Sequence, residues 1–187
     1  INRESEHFST VCTDNDEVGL MAATKIRQKG YTEAAIFASR HSYFATSQRV
    51  QAFISSCERL GIETDEKYIL KGSSTRNGGY EIGKQYAALK EPPKMIFCDS
   101  DAIALGALRA FHEEGISVPG DAELLSIGML DPEAASYYVP SLSVVEMPNK
   151  EIGQQVLRLM RKKILNNDMS SEHVKVHAKL MLRESFS

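Results

Sequence analysis

At 187 residues the chain can build one sizeable domain or two small lobes. Its 22 basic and 25 acidic residues leave a net charge of −3, which is no basic field for phosphate backbones, so this chain alone is not expected to hold DNA. No apolar run is long enough to span a bilayer, and the start at Ile1-Asn2-Arg3-Glu4 is neither a signal peptide nor an initiator methionine, so the chain reads as a fragment.

In chain order, residues 8–13 read as a strand, 17–29 as a helix, 34–38 as a strand and 47–60 as a helix. Residues 71–79, rich in Gly, Ser and Asn, read as a linker, followed by helical spacing over 79–89 and a break at Glu91-Pro92-Pro93. Strands are expected at 95–98 and 124–127, a linker over 131–140, a helix near 149–165 and a strand near 173–182. That alternation predicts an α/β fold with a parallel sheet covered by helices.

The stretch from 95 to 131 is the most informative, because it reads as one strand–helix–strand module. Met95-Ile96-Phe97-Cys98 suits a strand buried on both faces, and it ends in the polar run Asp99-Ser100-Asp101. Ser100 is placed to cap a helix carrying Ile103, Ala104, Leu105, Ala107, Leu108 and Phe111, and Gly115 offers its stop. Ligands of open α/β sheets bind outside the carboxyl ends of strands, so Ser100, Asp101 and Asp131 fall where a ligand is expected.

Catalytic and metal patterns are sparse. Cys12, Cys57 and Cys98 are widely spaced and fit buried thiols in a reducing cytoplasm. His173 and His177 have a helical metal spacing, but their neighbours alternate as in a strand, where they would stand about 13 Å apart and share no metal. The loop from Lys71 to Gly79 fits no phosphate-binding fingerprint, and the cluster Arg158, Arg161, Lys162, Lys163 reads as a solvated face near a helix C-terminus. No glycine-flanked nucleophile or acid pair stands out, so neither enzyme activity nor a cofactor is expected.

The strings CDSDAIALGALRA (98–110), GISVPGD (115–121), SIG (126–128), YVPSLSVV (138–145), IG (152–153), RVQAF (49–53) and GY (30–31) together resemble the effector-binding domain of the LacI/GalR family of bacterial transcription regulators. The resemblance runs over roughly residues 11–183. It implies a periplasmic-binding-protein-like fold in which a sugar-like effector sits between two lobes and adjusts a helix-turn-helix headpiece that this chain lacks. Residues 1–13 would then be the last strand of the N-terminal lobe and the crossover, 14–145 the C-terminal lobe, and 146–187 a return to the N-terminal lobe and hinge. An uptake-system solute-binding protein of the same fold is the alternative.

The resemblance also implies effector contacts at Arg49, Ser100, Asp101, Asp131, Tyr43, Ser74 and Thr13, with Arg49 favoured because a guanidinium offers several rigid donors. Ser100 and Asp101 could instead simply cap the helix. The first of two consecutive acids common in the family is replaced here by Leu130, which puts an ordinary hexose in doubt. A cytoplasmic homodimer is expected through Ala104, Leu105, Leu108, Tyr137 and Tyr138, unless these residues merely pack inside one subunit. Operator DNA would be bound only through the missing headpiece.

Overall fold

The computed structural model describes residues 8–41, 44–128, 132–167 and 170–186. In chain order the elements are β1 (Thr10–Thr13), α1 (Asn15–Gln28), β2 (Ala35–Ser39), α2 (Phe44–Leu60), β3 (Ile69–Gly72), α3 (Arg76–Ala87), β4 (Met95–Cys98), α4 (Asp101–Glu114), β5 (Glu123–Gly128), α5 (Pro132–Ser136), β6 (Ser143–Glu146), α6 (Asn149–Asn166), β7 (His173–Val176) and β8 (Lys179–Met181). Six strands form one sheet in the order β3-β2-β4-β5-β6-β8, parallel throughout except for antiparallel β8 at the edge.

Helices on both faces explain why β2, β4 and β5 are buried along their whole length. The two-residue period of β4 sends Met95 and Phe97 toward α1 and α2, where Phe97 stacks on Phe53 at 4.0 Å and 9°. Ile96 and Cys98 face the other way, into a cluster with α3 and α4 that holds Phe37, Tyr86 and Phe111. All three cysteines are buried and free, and burial pushes the Cys57 thiol up to about 12.

β1 stands apart, pairing in parallel with β7 under α6, where Val11, Leu159 and Val176 make a small cluster. α6 leaves Leu157, Ile164 and Leu165 exposed, and its Lys162 and Lys163 pair with Glu172.

Three expectations need correction. The single strand anticipated near 173–182 is two strands in different sheets, β7 on β1 and β8 on β6. The segment 146–187 therefore does not stay with the small sheet. Its tail returns to the large one, where Phe186 is fully buried and the Ser185 hydroxyl donates to the Leu124 carbonyl at 2.8 Å while accepting from the Ser143 N–H at 2.8 Å. The supposed linker from 71 begins inside β3, an edge strand whose half-exposed residues give only a weak apolar signal. Among the described residues, no helix is long and apolar enough to cross a membrane.

Candidate ligand-binding site

Because the five strands β2 to β6 of the large sheet run parallel, their carboxyl ends gather on one edge; β1, in the small sheet, passes directly into α1. Asp99 follows β4 and continues its alternation toward α2. It is 2% exposed, and its Oδ2 accepts the Ser39 N–H at 2.6 Å, tying the ends of β2 and β4 together. Burial raises the Asp99 pKa, and the Ser39 N–H and hydroxyl, the Ser100 hydroxyl and the Arg49 charge draw it part of the way back.

Arg49 lies one turn into α2 and is 3% exposed. Its Nε donates to the Ala45 carbonyl at 3.0 Å and an Nη to the Thr46 hydroxyl at 3.5 Å, so the helix that carries the guanidinium also holds it. Burial lowers its pKa, and Asp99 opposes that shift. The pair is thus two opposite charges taken out of water at the sheet's carboxyl edge.

Ser100 is the N-cap of α4 by position, yet its hydroxyl makes no capping bond. It lies close enough to Asp99 to lower that pKa, but without hydrogen-bond geometry to any described group. Among the described residues the buried side-chain atoms without a hydrogen-bond partner are Thr13 Oγ1, Asn15 Oδ1, Asp99 Oδ1 and Ser100 Oγ. Thr13 closes β1 and Asn15 opens α1, while Asp99 and Ser100 lie between β4 and α4. Orphaned polar atoms in a core are costly, and both pairs sit where a strand gives way to a helix.

The remaining candidates fall in different places. Asp101, buried in the first turn of α4, complements that helix's dipole. Ser74 is exposed in the loop before α3, whose cap is Thr75. Tyr43 and Asp131 lie outside the described residues. A cleft of about 770 Å³ runs beside this edge between β1 and α2, lined by Thr13, Asn15, Phe44, Gln48 and Lys175 among others. It takes in Thr13 but none of Arg49, Ser74, Ser100 or Asp101. Asp99 was not singled out from sequence. Its signal was present in the period of β4, which turns it to the same side as α2.

Of the expected dimer residues, Ala104 is a correction: it is fully enclosed between α4 and the sheet of its own chain and has no surface to offer. Leu105 is half-buried, Leu108 and Tyr138 half-buried against the same cluster, and Tyr137 and Val139 exposed. Among the described residues no group of His, Cys, Asp or Glu is arranged to hold a metal. His173 instead meets the Thr10 hydroxyl at 2.9 Å and His177 the Glu17 carboxylate at 2.8 Å.

Residues 23–186 match the periplasmic binding protein-like domain family. The HTH-type transcriptional repressor PurR of Mannheimia succiniciproducens is 27% identical over 169 residues, covering 90% of this chain and 50% of that protein. The chain thus spans about half the length of the curated relatives it matches. A LacI family transcription regulator from Clostridium acetobutylicum superposes with a TM-score of 0.92 at 31% identity, over 97% of this chain and 67% of that one. A complex of the transcriptional regulator CelR with cellobiose superposes with a TM-score of 0.86 at 25% identity, over 97% and 55%.

Proposed function

We propose that this chain, which belongs to the periplasmic binding protein-like domain family as the effector-binding domain of a LacI-type regulator, senses a small hydroxyl-bearing molecule of the sugar class. The observation that carries the reading is the set of four unpartnered buried polar atoms where β1 passes into α1 and β4 into α4. Hydroxyl groups, which both donate and accept, complement such a mixed set of carboxylate, amide and hydroxyl atoms. The cellobiose complex of CelR supports the same ligand class.

In the longer protein, a helix-turn-helix headpiece would contact operator DNA, and occupancy of the site would bias the two lobes toward one arrangement. The small sheet and the exposed stripe of α6 are the parts a first lobe would cover. The protein would work in the cytoplasm as a homodimer through Leu105, Leu108, Tyr137 and Tyr138, without chemistry of its own. Regulator relatives favour this reading over an uptake receptor.

The test is thermal unfolding of the protein against a panel of mono- and disaccharides, cellobiose included. A ligand that binds the native state at a hundred times its Kd stabilises by about 2.7 kcal/mol. Saturable stabilisation by at least one sugar is expected, and the absence of any response across the panel would overturn the reading.

A further inference from the structure

We propose that Asp99 is itself an effector-binding residue, its Oδ1 accepting a hydrogen bond from a ligand hydroxyl beside a second hydroxyl held by Ser100. The inference rests on the sugar-sensing reading and deepens it. It commits the effector to a hydrogen-bond donor at the floor of the site, where a carboxylate or phosphate oxygen would be repelled.

Asp99 joins the strands through one oxygen only. Oδ2 takes the Ser39 N–H, whereas Oδ1, in a residue 2% exposed, accepts from no described group. The tie between β2 and β4 uses one oxygen and the Arg49 charge compensates the carboxylate, which leaves the second oxygen over. A buried acid with a spare lone-pair face is suited to a partner that comes and goes. Ser100, the next residue, holds a hydroxyl that does not cap α4 and lies near enough to Asp99 to lower its pKa, without hydrogen-bond geometry to any described group. The two atoms together present an acceptor and a donor–acceptor side by side, which is the complement of neighbouring hydroxyls on a sugar ring. The Arg49 charge favours the ionised, accepting form of this carboxylate, against the burial that raises its pKa.

The substitution Asp99→Asn preserves shape and the bond to Ser39. Calorimetry with cellobiose, or with whichever panel sugar binds best, should show an affinity loss on the order of 10- to 150-fold. The melting temperature of the unliganded variant should fall, because Arg49 loses its buried counter-charge, while circular dichroism shows the fold retained. Sugar binding that is equal in wild type and a folded Asp99→Asn variant would overturn the assignment while leaving the sensor reading intact. Mono-deoxy analogues of the bound sugar give an arm that needs no variant. Removal of one particular hydroxyl should weaken wild-type binding at least about tenfold, and uniform tolerance of every single deoxygenation would equally overturn it. If no panel sugar binds the wild type, the sensor reading itself falls, and this assignment with it.

Discussion

Gly79 of α3 and Gly106 of α4 meet backbone to backbone: a Cβ on Gly106 would stand 1.9 Å from the Arg76 carbonyl oxygen, and one on Gly79 would stand 2.1 Å from that of Ile103. The contact falls in the first halves of both helices and so fixes their N-termini, with Ser74 and Ser100 just before them, on the same carboxyl edge. Backbone cannot yield as a flexible side chain does. Gly106→Ala should therefore destabilise by about 1–3 kcal/mol or more, as overpacking does. Urea unfolding checks this, and a loss under about 0.5 kcal/mol would mean that the helices separate freely.

Arg49→Ala should weaken sugar binding by about 10- to 150-fold if the guanidinium clamps the effector. Sequence alone suggests that folding would hardly change. The burial of Arg49 beside Asp99 revises this, because truncation leaves an acid buried without its compensating charge. A lower melting temperature together with lower affinity is expected. Unaltered affinity by calorimetry in a folded variant would remove Arg49 from the site.

Leu105 presents a half-buried apolar surface on α4. Leu105→Asp should give a folded monomer by light scattering if α4 forms the interface between subunits. A variant that remains dimeric would place the contact elsewhere.

The C-terminal tail is predicted to be part of the large sheet's core rather than an ornament. Phe186 is fully buried among residues of β5 and β6, so Phe186→Ala should cost about 3–5 kcal/mol in chemical unfolding. A near-neutral result would show that the tail docks only weakly.

His177 joins the turn between β7 and β8 to α1 through Glu17, which raises its pKa above the ordinary 6.5. A raised folded-state pKa means that the pair's contribution is fully present below pH 6.5 and fades as pH rises through the folded value. An NMR titration should place the His177 midpoint above the ordinary value, and Glu17→Gln should bring it down. An unshifted midpoint in wild type would show that the pair does not form in solution.

Local pattern was enough for the elements that carry their own punctuation. β4 and α4 begin and end where the apolar run, the Ser100 cap position and the left-handed Gly115 place them. The α/β class followed from the alternation of such elements, and so did the carboxyl edge as the place for a ligand. β3 escaped because an edge strand is half-wet and carries little apolar signal. The period of residues 173–182 could not reveal that β7 and β8 serve different sheets, since a strand's alternation is the same whichever partner it finds.

The same division holds within the site. The sequence by itself determined that polar residues follow β1 and β4 and that Arg49 lies early in α2. Only the tertiary structure decided that Ala104 is enclosed within its own chain, that the Ser100 hydroxyl does no capping, and that Asp99 is buried within electrostatic reach of Arg49 with one oxygen lacking a hydrogen-bond partner. Periodicity and capping are properties of neighbours along the chain. Burial and hydrogen-bond satisfaction depend on which distant segments arrive, and those are set when helices and strands far apart in sequence pack together.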